Sequence, residues 1–177
     1  MILRSWLFVP GDSERKLAKA VDVSADALIL DLEDSVLAER RDAARELVTE
    51  FINSGIAGSD CWVRVNPLES ADVHADLRML GKVIPCGVML PKASGPAQVA
   101  TLRDALVGVW GPDASPRIVA IATETPAGVF AMGDYGRQQP VGLAGLTWGA
   151  EDLAAELGVL ANRDGAGHWT APFQLAR

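Results

Sequence analysis

Six short apolar runs punctuate this chain, and each ends on its C-terminal side in charged or turn-forming residues. Leu3–Val9 leads into Pro10, Gly11 and Asp12, and Ala27–Leu32 into Glu33 and Asp34. Cys61–Val65, which carries Arg64, meets Asn66 and Pro67, and Val88–Leu90 meets Pro91 and Lys92. Ile118–Ala122 stops at Thr123 and Glu124, and Leu143–Leu146 is followed by Gly149, Ala150, Glu151 and Asp152. The runs are nearly continuous rather than alternating, as parallel strands buried on both faces are. Reactive side chains at the C-terminal ends of many parallel strands are the layout of a β/α-barrel active site.

Segments with helical periodicity separate the runs. In 39–52, Ala43, Leu47 and Phe51 repeat every four residues, shadowed by Ala44, Val48 and Ile52, with Glu and Arg opposite. Val73, Leu77, Leu80 and Ile84 form a similar stripe, as do Val99, Leu102 and Leu106, while 13–21 and 150–157 are shorter candidates. The unit of strand, loop and helix recurs at about 30 residues, the size of a β-α-β crossover. The predicted fold is therefore α/β, a TIM (β/α)8-type barrel of which the first six β/α units are present.

A closed barrel of this type has eight units and typically about 250 residues. This chain has 177, with no linker or low-complexity tract, so residues 1–177 read as one domain. Thr170, Ala171 and Pro172 have the form of a helix start, a capping Thr with Pro in the first turn. Residues 173–177 add little more than one turn, too short to be stable unless packed. This reads as a chain cut within an element, the other reading being a natural six-stranded open sheet with a frayed tail.

Composition narrows the function classes. The net charge of -7 argues against a general nucleic-acid or anionic-membrane surface. No apolar run approaches the roughly 20 residues that cross a bilayer, and the opening apolar stretch is shorter than a signal-peptide core of about 7–15. Cys61 and Cys86 lie in strand-like contexts without metal-ligand spacing, which predicts two buried reduced thiols and a cytoplasmic location.

Several charged residues have both a chemical and a bland reading. Glu124 and Asp152, at the ends of successive strands, suit the octahedral oxygen preference of Mg²⁺, with waters completing the shell. Otherwise Glu124 is a strand-end acid and Asp152 a helix N-terminal acid favoured by the macrodipole. Arg64 lies in an apolar strand, where a guanidinium is costly unless paired. It can bind a substrate carboxylate, form a salt bridge with Glu33 or Asp34, or do both. Asp34 or Ser35 can also cap the following helix. The Gly11 loop precedes a helix bearing Lys16 and Lys19, a combination that can hold phosphates or be a solvated basic face. The amides of Gly149 and Ala150 open a helix and can receive a carboxylate. Lys92 is read as a supporting or surface residue rather than a Schiff-base lysine, since the carboxylate pair favours metal-stabilised chemistry. His74 and His168 have no partner at metal or triad spacing and receive no role. Most of the five tryptophans read as core or loop packing, while Trp148 borders the site expected here.

Six motifs occur in register: Arg4-Ser5-Trp6-Leu7-Phe8-Val9-Pro10-Gly11, Leu30-Asp31-Leu32-Glu33-Asp34, Val63-Arg64-Val65-Asn66, Met89-Leu90-Pro91-Lys92, Ala122-Thr123-Glu124-Thr125-Pro126 and Trp148-Gly149-Ala150-Glu151-Asp152-Leu153. In these the chain resembles the citrate lyase β-subunit-like branch of the HpcH/HpaI aldolase family, within the phosphoenolpyruvate/pyruvate barrel superfamily. The family's last two strands and C-terminal helices are the part not matched. The resemblance implies Glu124 and Asp152 as Mg²⁺ ligands and has Glu33 and Asp34 facing the site, where they would support the metal's waters or Arg64; Arg64, Glu33 and Asp34 are the catalytic candidates. It places the pyrophosphate end of coenzyme A near Gly11, Lys16 and Lys19. It further implies a lyase that cleaves a 3-hydroxyacyl thioester, of citryl-CoA or malyl-CoA type, to a 2-oxo acid and an acyl thioester. A malyl-CoA thioesterase is the alternative, as is a truncated chain active only on assembly. A homo-oligomer, trimer or hexamer, is expected, because in close relatives a neighbouring subunit's C-terminal segment supplies the general acid. With that segment absent, the expectation is weak Mg²⁺ binding and little turnover by this chain alone.

Overall fold

The computed structural model describes residues 3–177. Six strands, β1 (Trp6–Pro10), β2 (Ala27–Asp31), β3 (Asp60–Arg64), β4 (Gly87–Leu90), β5 (Ile118–Ile121) and β6 (Leu143–Thr147), form one parallel sheet in sequence order. The helices between them are α1 (Glu14–Ala20), α2 (Arg41–Ser54), α3 (Val73–Leu80), α4 (Pro96–Trp110) and α5 (Pro126–Gln138), with α6 (Ala150–Leu157) and α7 (Ala171–Ala176) after β6. Each predicted strand is found, with its ends moved by up to three residues. α5 is the element the periodicity left undefined. Thr125 caps it, accepting the Gly128 N–H at 3.1 Å, and Pro126 starts it, but three glycines interrupt any apolar stripe.

The sheet has apolar residues on both faces. Leu28, Leu30, Val63, Val88, Leu90, Ile118 and Ala120 pack with Leu17, Val48, Leu80, Leu102 and Leu106 of the helices. Each fully buried Leu there contributes about 1.5–3 kcal/mol. The opposite face carries Ala27, Ile29, Trp62, Met89, Val119 and Ile121, the layer a barrel encloses. β1 and β6 do not pair with each other, so the sheet is open. Along that opening Phe8 is 45% exposed and Leu146 40% exposed.

Local differences from the sequence reading have packing reasons. On α2 it is the row of Ala44 and Val48 that is fully buried, while Leu47 and Phe51 are half-buried at its flank. Ile84 lies beyond the end of α3 and is exposed. Neither Asp34 nor Ser35 caps a helix: the next one is a 3₁₀ turn, Ala38–Arg40, and Ser35 donates its hydroxyl to Asp31 instead. Thr170 stands at the start of α7 without a side-chain cap bond, and the short helix is held by burying Phe173 and Ala176 against Leu153. The cysteines correct the expectation of two buried thiols. Both are free, but Cys61 is half-buried and Cys86 exposed, because β4 begins only at Gly87. Burial pushes the Cys61 thiol up to about 11, with Cys86 and Asp60 adding to the shift. Among the described residues no helix is long and apolar enough to cross a membrane.

Candidate active site

The C-terminal ends of β2 to β6 converge on a cavity of about 550 Å³, lined by Asp34, Arg64, Glu124, Asp152 and the Trp148-Gly149-Ala150 turn, with Phe8 and Ile121 among its apolar walls. Asp31 and Arg64 are register partners on β2 and β3. Arg64 donates from Nε to Asp31 Oδ1 at 2.6 Å and from Nη2 to Oδ2 at 2.7 Å, a bidentate pair. Asp31, fully buried, also accepts the backbone N–H groups of Glu33 and Ser35. Burial alone would raise its pKa, but the hydrogen bonds and charge of Arg64, with Ser35 and Glu33, hold it below the ordinary carboxylate range.

The other edge of the guanidinium faces the end of β2. Arg64 Nη1 lies 2.9 Å from Glu33 Oε2 and 3.5 Å from Asp34 Oδ2. The Glu33 contact is electrostatic, since that oxygen lacks a well-directed N–H. One N–H on each terminal nitrogen remains outside these bonds. The ring of Phe8 sits under the guanidinium, 4.8 Å from ring centre to Cζ.

Lys92 is more central than the sequence suggested. It follows β4 in the left-handed backbone region, at φ 52°, unusual for a residue with a side chain. That turn aims its backbone N–H at Glu124 Oε2, 2.6 Å away. Its ammonium hydrogen-bonds Glu33 and lies 3.4 Å from Asp34 and 3.2 Å from Asp152. Burial opposes the charge on Lys92, but Glu33, Asp152 and Asp34 outweigh it and raise the pKa well above the usual lysine range. Glu33 itself is shifted up by burial, which the attraction of Lys92 and Arg64 offsets only in part.

Glu124 and Asp152 meet beyond β5 and β6. Glu124 is buried, and its pKa is pushed up to about 8, first by burial and further by Asp152, against the Lys92 N–H. Asp152 lies in the first turn of α6. Gly149, immediately before α6, is what allows the approach: a Cβ there would fall 2.5 Å from Glu124 Cγ. Among the described residues no side chain caps α6, so its first amides can meet an anion. Glu124, with its raised proton affinity, and the neighbouring Asp152 carboxylate are oxygen donors that suit a hard divalent cation. Among the described residues they do not extend to a cluster of three or more ligating side chains, so water or substrate would complete a shell.

The remaining sequence candidates lie outside the cavity. Gly11 donates to Asp31 O at 2.9 Å, and a Cβ on it would fall 2.6 Å from that oxygen. It is therefore required for the close contact of the β1 loop with β2, whatever else the loop does. Lys16 and Lys19 are exposed on α1 and do not line the cavity. His74 is exposed on α3, and His168 pairs with Asp164 in the tail. The residue that sequence reasoning missed is Asp31. An acid in one apolar strand and a base at matching depth in the next was the available signal.

The sequence model of the HpcH/HpaI aldolase/citrate lyase family matches residues 4–173. A citrate lyase subunit beta-like protein of Mycobacterium tuberculosis is 36% identical over 163 residues, covering 91% of this chain and 53% of that protein. A (3S)-malyl-CoA thioesterase of Cereibacter sphaeroides is 33% identical over 156 residues, covering 88% of this chain and 51% of the relative. The chain thus spans about half the length of the curated relatives it matches. The crystal structure of protein CitE from Mycobacterium tuberculosis with magnesium, acetoacetate and coenzyme A superposes with a TM-score of 0.78. That comparison has 31% identity and covers 98% of this chain and 59% of that one.

Proposed function

From a chain that belongs to the HpcH/HpaI aldolase/citrate lyase family, we propose a Mg²⁺-dependent carbon–carbon lyase acting on a 3-hydroxyacyl thioester of citryl-CoA or malyl-CoA type. The carrying observation is the facing pair Glu124 and Asp152, with the Glu124 pKa pushed up to about 8 by burial and by its neighbour. Glu124 and Asp152 would hold the ion. When bound, Mg²⁺ would supply Lewis-acid polarisation of substrate oxygens and charge compensation for a developing anion.

The chain's own residues divide the remaining work. The uncapped amides at Gly149 and Ala150 and the free N–H groups of Arg64 receive the substrate carboxylate. Asp31 keeps Arg64 charged and its plane fixed. Asp34, the half-exposed acid of the β2 end, accepts the proton of the substrate hydroxyl. The carbon–carbon bond then breaks, its electron pair passes to the thioester fragment as an enolate, and the oxygen becomes the 2-oxo group. Protonation at carbon completes the reaction, and the expected donor is a second subunit of a trimer or hexamer. Phe8 and Trp148 keep the walls apolar around these charges. Gly11, Lys16 and Lys19 would meet the coenzyme's phosphates away from the reacting carbons.

The relative named (3S)-malyl-CoA thioesterase favours a second reading, in which water attacks the thioester carbonyl. Malyl-CoA and citryl-CoA supplied with and without Mg²⁺ separate the two. A lyase releases oxo acid and acyl thioester, whereas a hydrolase releases free coenzyme A thiol. Mg²⁺-dependent oxo-acid release lost in Asp152→Ala supports the lyase. Cleavage unaffected by that substitution or by chelation would overturn it.

A further inference from the structure

Behind the site, outside the cavity, lies a buried carboxylate that the chemistry above does not use. Asp76 on α3 is fully buried. Its Oδ2 accepts the backbone N–H of Asn66 at 2.7 Å and the side-chain Nδ2 of Asn66 at 2.9 Å. Its Oδ1 accepts Nε of the buried Arg45 on α2 at 2.8 Å. Arg45 also donates from Nη2 to Asp72 Oδ1 at 2.9 Å and the Asp72 carbonyl at 3.2 Å, and from Nη1 to Asp42 at 2.7 Å. An ion pair this deep costs desolvation, and packing two helices together does not require one.

What the network holds is the backbone next to the reactive groups. Asn66 also donates from Nδ2 to the carbonyl of Leu32 at 3.0 Å, the residue immediately before Glu33. Leu32 in turn donates its N–H to the carbonyl of Arg64 at 3.0 Å. The exits of β2 and β3 are thus cross-tied one residue from Glu33 and at Arg64 itself. The tie ends on a charge whose counter-ion comes from a third element. We propose that Asp76, acting through Asn66, is a positioning residue that fixes Glu33 and Arg64 in the geometry the site needs. This deepens the lyase reading and rests on it for its functional consequence, though its structural half is separately measurable.

The test compares the ¹⁵N-labelled full chain with Asn66→Ala and Asp76→Asn. Asn66→Ala cuts the tie to Leu32 while leaving Asp76 paired with Arg45, so it remains informative if Asp76→Asn does not fold. The first readout is hydrogen exchange at Arg64 Nε–H, the resonance missing from Arg64→Lys. The expected result is loss of the protected signal in folded Asn66→Ala, with the signal kept in Leu102→Ala, a core variant destabilised elsewhere. The second readout is affinity for oxaloacetate with Mg²⁺, expected to fall about 10–100-fold, the usual effect of removing an outer-shell support. A protected Arg64 signal and unchanged affinity in folded Asn66→Ala would overturn the proposal. Loss of the signal alongside no oxaloacetate binding by the wild type would sink the lyase reading but keep the positioning role.

Discussion

Asp31 and Arg64, side by side at the ends of β2 and β3, are joined by two parallel hydrogen bonds of 2.6 and 2.7 Å. The carboxylate is fully buried, and among the described residues no other charged group donates to it. Arg64→Met would leave it uncompensated and is expected to destabilise the fold by about 3–5 kcal/mol. Urea unfolding at neutral pH measures this, and a change within a few tenths of a kcal/mol would contradict it.

The same pair gives the acid limb of stability a defined sign. Because the folded-state pKa of Asp31 lies below its ordinary 3.8, its contribution is complete above that value. It is lost as pH falls through the lower folded-state pKa, where Asp31 must protonate. Urea midpoints between about pH 6 and about pH 2 should fall more steeply for wild type than for Asp31→Asn.

Glu124 works in the opposite direction. Its pKa rises from 4.5 in the ordinary state to about 8 in the fold, so the native metal-free protein binds the proton more tightly than the unfolded chain. Stability is therefore full below 4.5 and is lost as pH rises to about 8, with the slope absent in Glu124→Gln. Divalent-ion affinity should climb over the same window as the ion displaces the proton. Calorimetric titration with Mg²⁺ across the window checks it, and a pH-independent affinity would count against Glu124 as a ligand.

The Lys92 ammonium sits among Glu33, Asp34 and Asp152, where a divalent ion's charge would act. Lys92→Met is expected to tighten Mg²⁺ binding by about 1–2 kcal/mol, roughly 5–30-fold, through removal of a like charge. It should also lower the unfolding temperature without metal, because Glu33 loses a partner. Weaker Mg²⁺ binding in a folded variant would show that Lys92 shapes the site more than it competes there.

Gly149→Ala tests the contact between the α6 turn and Glu124. The added methyl would lie 2.5 Å from Glu124 Cγ, so the carboxylate must move. The expected cost is about 1–3 kcal/mol, typical of overpacking, together with a loss of Mg²⁺ affinity. Thermal unfolding and metal titration, read on the same sample, separate the two effects.

Much of this was legible in the residue order. The apolar runs specified β1 to β6, because a parallel strand buried on both faces must be apolar nearly throughout. α4 was equally plain: Val99, Leu102 and Leu106 all reach full burial. α5 was not, since glycines at 128, 133 and 136 dilute the stripe that periodicity detects. Glu124 and Asp152 were legible as candidates because they stand three residues past β5 and five past β6, where a barrel site would lie.

What the sequence determined by itself was local: which segments are strand or helix, and which acids stand where strands end. These depend on side chains within a few residues of one another, on 2.0- and 3.6-residue periods. The tertiary structure alone decided that Arg64 would be gripped by Asp31, that Lys92 would enter the carboxylate cluster, and that Arg45 would answer Asp76. Those pairs are 33, 59 (for Lys92 with Glu33) and 31 residues apart in the chain. Only lateral strand register and helix docking bring them within hydrogen-bonding distance, and burial then makes each charge depend on the partner it meets.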